Sequence, residues 1–157
     1  MIEHDRLLEL IKYEPDTGNF VWVKSRPGVR AGSVAGSLDR TGYRFVKIDY
    51  ESYLHHRLAF FYVMGKWPEN EMDHKNGDRA NNKWSNLREA TRRQNAVNRK
   101  AIAGLKGVEK QRTGKWIARI RNGGKKLYLG TFNTALEAHQ VYVAKAIELH
   151  GEFVRIL

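Results

Sequence analysis

Residues 71–95 read EMDHKNGDRANNKWSNLREATRRQN. An acid and a histidine stand side by side at Asp73 and His74, a run of asparagines follows, and the stretch closes in arginines. Successive strand residues point to opposite faces, so Asp73 and His74 can serve one reaction only where the strand ends or kinks. The KNGD that follows is such a turn. The spacing predicts a strand end at EMDH, a polar loop, a return through LREA, and a helix opening near Thr91 with the sequence TRRQNAVNRK. Hydrolysing a phosphodiester needs a base for water, a hard cation to take charge off the phosphoryl and leaving oxygens, and groups that fix both. His74 can be the base, because an imidazole titrates near neutral pH. Asp73 can give an oxygen ligand to Mg²⁺ or a similar ion, and Asn95, on the helix after the hairpin, can supply a second one from its carboxamide.

Each residue also has a plainer reading. A solitary His74 would be a hydrogen-bonded structural histidine; it is the company of Asp73, Asn86 and Asn95 that favours chemistry. Asn81, Asn82 and Asn86 can be turn formers, and for Asn81 that reading is preferred. Asp73 to Asp78 is not a calcium loop, since Lys75 occupies a ligand position and the closing bidentate Glu is missing. His4, His55, His139 and His150 have no ligand-like grouping and are read as surface or packing residues.

The whole chain fits this focus. At 157 residues and 41% hydrophobic it has material for two small modules rather than a large enzyme fold. The absence of cysteine removes disulfides, thiolate zinc sites and cysteine nucleophiles, suits a reducing compartment, and leaves oxygen and nitrogen as metal ligands. MIEHDRLLELIKYEPDTG at the start reads as neither a secretion signal nor a membrane span. The expected location is the cytoplasm, that of the host if the gene is phage-borne. Charge is concentrated: residues 92–126 hold twelve Lys and Arg against one acid, Glu109, an excess that equals the net charge of +11 of the entire chain. Such a stripe, interleaved with Trp116 and Tyr128, fits a polyanion-binding surface. A solvated face would mix its signs, and a membrane-surface segment would need an amphipathic helix.

Along the chain, residues 3–12 predict a short amphipathic helix, DTGNFVWV a turn into a strand, GYRFVKID a second strand and ESYLHH a short return. Residues 24–42, KSRPGVRAGSVAGSLDRTG, read as a mobile loop. HHRLAFFYVMG is a helix stopped by Gly65 and the best core candidate of the first module. After a linker at 99–105, GVEKQ, GKWIARIR and KKLYLGTF predict three strands, and TALEAHQVYVAKAIELHG a helix with a capping-box start at Thr134 and Glu137.

DHKNGDRANNKWSNLREATRRQN resembles the ββα-metal motif of the HNH nucleases, in the phage and intron homing type where asparagine replaces the last histidine. The resemblance covers about residues 13–98 and implies an HNH nuclease domain at 1–98 with its ββα-metal core at about 70–98. It implies that Asp73 and Asn95 are metal ligands, that His74 is the general base, and that Asn86 holds the imidazole and the hairpin. It places His56 and Arg57, the family's HR pair, near the scissile phosphate, and Arg93 as a phosphate clamp. It further implies one Mg²⁺ or Mn²⁺ per active site, weakly held without DNA, and products ending in 5′-phosphate and 3′-hydroxyl.

Residues 105–153, with GV, GKW.A.I, LGTF, EA and HGEF, look like the Apetala-two or ethylene-response-factor DNA-binding domain, a family that docks a three-stranded sheet in the major groove. Alternation would turn Trp116, Ala118 and Ile120 to the helix and Lys115, Arg119 and Arg121 outward, with Lys126 and Tyr128 beside them. Lys145 and His139 stand where that family prefers alanine. The fold class expected is α+β: a ββα-metal nuclease module followed, over 106–157, by a three-stranded antiparallel sheet plus helix. The function expected is a homing-type nicking endonuclease of a phage or mobile element acting on double-stranded DNA as a monomer, with no membrane partner. The alternative is a DNA-binding regulator that keeps a nuclease scaffold.

Overall fold

The structure, a computed structural model, describes residues 1–98 and 105–154. It is of the α+β class, with small antiparallel sheets and four α-helices among the described residues. Two compact units divide the chain, Met1–Arg92 and Arg93–Leu157. The division falls at the start of the helix expected to close the nuclease module, ahead of the linker expected at 99–105, and residues 99–104 lie outside the described residues.

In the first unit, α1 (His4–Leu10) passes directly into β1 (Ile11–Glu14), which pairs with β2 (Asn19–Trp22) as an antiparallel hairpin. The helical spacing of Leu7, Leu8, Leu10 and Ile11 runs one residue too far, because Ile11 is β-branched and already pairs with Trp22. Residues 24–42 are not the loose loop expected. Val21 bridges Val34, Ala35 is fully buried, and β3 (Ser37–Leu38) joins β4 (Arg44–Ile48) and β5 (Glu51–Leu54) in a three-stranded sheet. The helix α2 (His55–Met64) is stopped by Gly65 in the left-handed conformation, φ 67°, as its sequence predicts. Leu7, Ile11, Phe20, Val46, Ile48, Leu58 and Ala59 form the centre of this core.

Against it lie β6 (Glu71–His74) and β7 (Leu87–Ala90), antiparallel with Asp73 opposite Arg88 and His74 opposite Leu87. The chain then enters α3 (Arg92–Asn98). The strand–strand–helix order expected from residues 71–95 is present.

The second unit is a meander of β8 (Val108–Lys110), β9 (Trp116–Asn122) and β10 (Lys125–Phe132), covered by α4 (Ala135–His150). Thr134 caps α4 by accepting a bond from the Glu137 amide, while the Glu137 carboxylate reaches back to the amide of Asn133. Ala118, Ile120, Ala138, Tyr142 and Ala146 are the buried centre, with Trp116 half-buried beside them. The alternation expected of Trp116, Ala118 and Ile120 holds, and Ile117, on the opposite face, is buried as well.

Candidate active site

The turn after His74 builds the site. Gly77 takes φ 69° and its amide bonds the His74 carbonyl at 2.7 Å, so the chain leaves β6 as soon as the histidine has been placed. Both Asp73 and His74 are buried, about 4% exposed. On the His74 side, the ring Nε2–H donates to Asn82 Oδ1 at 3.2 Å. That amide has a fixed orientation, because its Nδ2 donates to the Ala80 carbonyl at 3.0 Å, so the oxygen must face the imidazole. Nε2 therefore carries the proton and Nδ1 is the basic nitrogen. Burial pushes the His74 imidazole below its ordinary range, offset in part by the Asn82 bond and by Asp73. The result is a ring kept neutral at pH 7, the form a general base requires.

Asn82 is held from distant parts of the chain. Tyr13 on β1 donates its hydroxyl to the Asn82 carbonyl at 2.6 Å. Gly18, at the β1–β2 turn with φ 76°, lies so close that a Cβ there would stand 2.4 Å from the Asn82 carbonyl carbon, so a side chain at 18 would push the loop off the imidazole.

The resemblance gives Asn86 the hold on both the imidazole and the hairpin; the structure leaves it the hairpin and corrects the first. Asn86 Oδ1 accepts from the Asn76 amide at 3.1 Å, its Nδ2 donates to the Asn81 carbonyl at 2.7 Å, and its backbone oxygen accepts from Lys75. It ties the two ends of the hairpin loop together, and the ring contact belongs to Asn82. Asn81 is the turn former expected, accepting from the Lys83 amide. Asn82 carries no local sequence signal that separates it from Asn81.

Asp73 has a partner the sequence reading did not name. Arg88, directly across the hairpin, brings Nη2 to 2.8 Å and Nε to 2.9 Å of Asp73 Oδ2. The signal was available, since folding EMDH onto LREA with His74 opposite Leu87 places the opposite charges face to face.

His56, from the start of α2, lies edge-on to His74 with ring centroids 5.1 Å apart, and Tyr43 of the preceding loop packs on both rings. The His56 Nδ1 is buried without a hydrogen-bond partner, and burial followed by the nearby His74 pushes this imidazole down to about 3. His56 thus stands next to the His74 ring. Arg57 instead turns to the carbonyls of Pro68 and Asn70, each at 3.4 Å, bracing the loop into β6. Arg79 lies over Tyr43, 4.9 Å from its centroid, and donates to the Thr41 carbonyl, placing a cation at the rim that the sequence reading passed over. His55 is the packing residue expected, fully buried and edge-on to Phe20.

Two expected participants lie in the second unit. Asn95 is half-buried on α3, and Arg93 donates to the side chain of Asn122 at the end of β9. Among the described residues no group of three or more His, Asp and Glu side chains is gathered as a metal site.

In the second unit the register places Tyr128 opposite Arg119 and Lys126 opposite Arg121 on one face. Lys115, Arg121, Lys126 and Tyr128 are exposed, and Arg119 is half-exposed. Tyr128 is 62% exposed, so it is a surface aromatic and not a core residue. No described helix is long and apolar enough to cross a membrane.

Comparison with known proteins agrees with both resemblances. The HNH endonuclease family model matches residues 53–97. An uncharacterised HNH endonuclease of Acanthamoeba polyphaga mimivirus is 33% identical over 118 residues, covering 74% of this chain and 63% of that protein. Dehydration-responsive element-binding protein 2C of Arabidopsis thaliana is 40% identical over 57 residues, 35% of this chain and 17% of that protein. The chain therefore spans under two thirds of the viral relative and under a fifth of this plant one. The solved structure describing DNA binding and cleavage by the HNH homing endonuclease I-HmuI has a TM-score of 0.45 at 24% identity, covering 57% of this chain and 51% of that one. Residues 53–97 thus match the HNH endonuclease family model, and a further short segment is similar to plant dehydration-responsive element-binding proteins.

Proposed function

We propose that this chain is a metal-dependent DNA endonuclease of the homing type, carried by a phage or other mobile element and working in its host's cytoplasm. In this reading His74 is the general base, Asp73 and Asn95 are the protein's ligands to one Mg²⁺ or Mn²⁺, and the exposed face of the second unit binds duplex DNA. The observation that carries it is the setting of His74: buried beside Asp73, with its Nε2 against the side-chain oxygen of an asparagine that is itself held in place.

The donor chemistry fits a small hard cation. A carboxylate and a carboxamide offer oxygen only, as Mg²⁺ and Mn²⁺ prefer. When bound, the ion supplies charge neutralisation at the phosphoryl oxygen and the departing 3′ oxygen. His74 Nδ1 takes a proton from water in line with the scissile bond. The water oxygen bonds to phosphorus, the bond from phosphorus to the 3′ oxygen breaks with its electron pair going to that oxygen, and the departing oxygen takes a proton from solvent, giving 5′-phosphate and 3′-hydroxyl ends. Asn82 holds the ring against rotation and stabilises the imidazolium as it forms, by accepting from Nε2. With one such site per chain, a monomer nicks one strand.

One observation favours the second reading, a DNA-binding regulator on a nuclease scaffold. The Asp73 carboxylate already faces the Arg88 guanidinium, and a neutralised acid has less need of an ion. Supercoiled plasmid incubated with the chain and Mg²⁺ or Mn²⁺ decides between them. Nicked or linear product with the parent protein, lost about 10²–10⁴-fold in His74→Ala while gel-shift affinity in EDTA is unchanged, supports the endonuclease. Intact plasmid with every divalent ion tried, under conditions where DNA is bound, supports the regulator.

A further inference from the structure

Glu109 is the one acid among the twelve cations of residues 92–126, and it stands on the exposed face of the sheet. Its Oε2 accepts from Arg119 Nη1 at 2.8 Å. Glu109 pairs with Ile117 in the β8–β9 register, so Arg119 is its diagonal neighbour two residues on, and Tyr128 stands opposite Arg119 on β10. The pair borders a hollow of about 240 Å³ whose lining includes Gly107, Arg121 and Lys126.

Stability does not account for this acid. The two side chains are 66% and 41% exposed, and ion pairs in that setting contribute little to folding. For gripping a polyanion the acid is a handicap, since a carboxylate repels phosphate and cancels a neighbouring cation. An unpinned arginine on a basic face swings to the nearest phosphate, where it carries no sequence information. Pinned by a carboxylate, the guanidinium keeps one orientation, phosphate is disfavoured at that point, and its remaining donors can address the paired acceptors O6 and N7 of guanine.

We propose that Glu109 is a positioning residue for sequence reading: it pins Arg119 on the outward face of the sheet so that Arg119 recognises a guanine edge in duplex DNA instead of closing on phosphate. This rests on the reading that the second unit binds DNA, and the test separates the two.

The full-length chain, held in EDTA to prevent cleavage, is used to select from a pool of random-sequence duplexes, alongside Glu109→Gln, Glu109→Asp and Arg119→Lys. The parent should select a motif containing a guanine whose discrimination falls about tenfold or more in Glu109→Gln. The same variant should bind the unselected pool several-fold more tightly, with a salt slope steeper by about one. Glu109→Asp, which keeps the charge, should recover part of the discrimination. Arg119→Lys, which keeps the cation without the planar fork, should lose it. A Glu109→Gln protein that selects the same motif with undiminished discrimination overturns the inference. So does a parent that binds duplex DNA with no sequence preference, although DNA binding then stands. A parent that binds no duplex at all overturns both.

Discussion

Each unit holds an acid–arginine pair bridging two antiparallel strands at 2.8 Å, Asp73 with Arg88 and Glu109 with Arg119. In the first pair the side chains are 5% and 10% exposed; in the second they are 66% and 41% exposed. Equal distances therefore conceal unequal roles. Away from water each charge is costly alone, so the inner pair locks the hairpin. In water the outer pair adds little to folding, so its part is to orient Arg119 rather than to hold the sheet together. The same contrast runs through both units. The first buries His55, His56, Asp73, His74 and Asn82, while Lys115, Arg121 and Lys126 of the second stand exposed.

The sharpest way to break this comparison is to remove both arginines in turn. Arg88→Ala removes the guanidinium that faces the buried Asp73 carboxylate and should cost about 3–5 kcal/mol, read as a lower urea midpoint at unchanged slope for the unfolding of the first unit. Arg119→Ala should cost less than about 1 kcal/mol. Equal losses would mean that burial does not separate the two pairs.

Acid should expose the same asymmetry. His55 is fully buried with neither ring nitrogen hydrogen-bonded, and Gly36 lies so close that a Cβ there would stand 2.6 Å from its Nε2. Burial, with Arg44 adding to it, pushes the imidazole down to about 4 from its ordinary 6.5. The unfolded chain therefore binds this proton first as pH falls. Stability is lost progressively between pH 6.5 and pH 4 and the loss levels off below, where both states are protonated. The total for this ring is on the order of 3 kcal/mol. His55→Leu, which removes a polar group that has no partner, should gain on the parent by that amount across the interval. Urea titrations at pH 7, 5.5 and 4 measure it, and a difference that stays constant with pH would refute the assignment.

The two units were also unequally legible. The hairpin, the helix after it, the α2 helix ending at Gly65 and the three-strand meander follow from local chemistry: a DH step into an Asn-Gly turn, a glycine stop, alternating apolar residues between glycine turns. The basic neighbours of Tyr128 could be placed outward because a sheet covered by one helix leaves only one face for cations, whereas Tyr128 itself suits core and surface equally and only its 62% exposure decides. What stayed hidden depends on long-range packing. Ile11 satisfies helical spacing and strand pairing equally well, and only Trp22 across the hairpin decides. Asn82 and Asn81 are indistinguishable in sequence, and Tyr13 and Gly18, more than sixty residues earlier, select the one that meets the imidazole. Arg88 was readable from register once the hairpin had been accepted.

Asn82 also gives the finest test, because it separates chemistry from binding within one unit. Asn82→Ala keeps the backbone carbonyl that Tyr13 holds, yet removes the acceptor at His74 Nε2 and the donor to Ala80. The imidazole can then rotate and place its proton on either nitrogen. Partners that orient a functional histidine are typically worth about 10–100-fold. We expect that loss in single-turnover nicking of a saturating plasmid, with the DNA concentration for half-maximal rate unchanged and EDTA gel-shift affinity equal to the parent's. Asn86→Ala should instead loosen the hairpin loop and lower the unfolding midpoint, since its amide ties residues 76 and 81. If Asn82→Ala nicks at the parental rate while Asn86→Ala does not, Asn86 governs the imidazole after all, and the tautomer assigned to His74 falls with it.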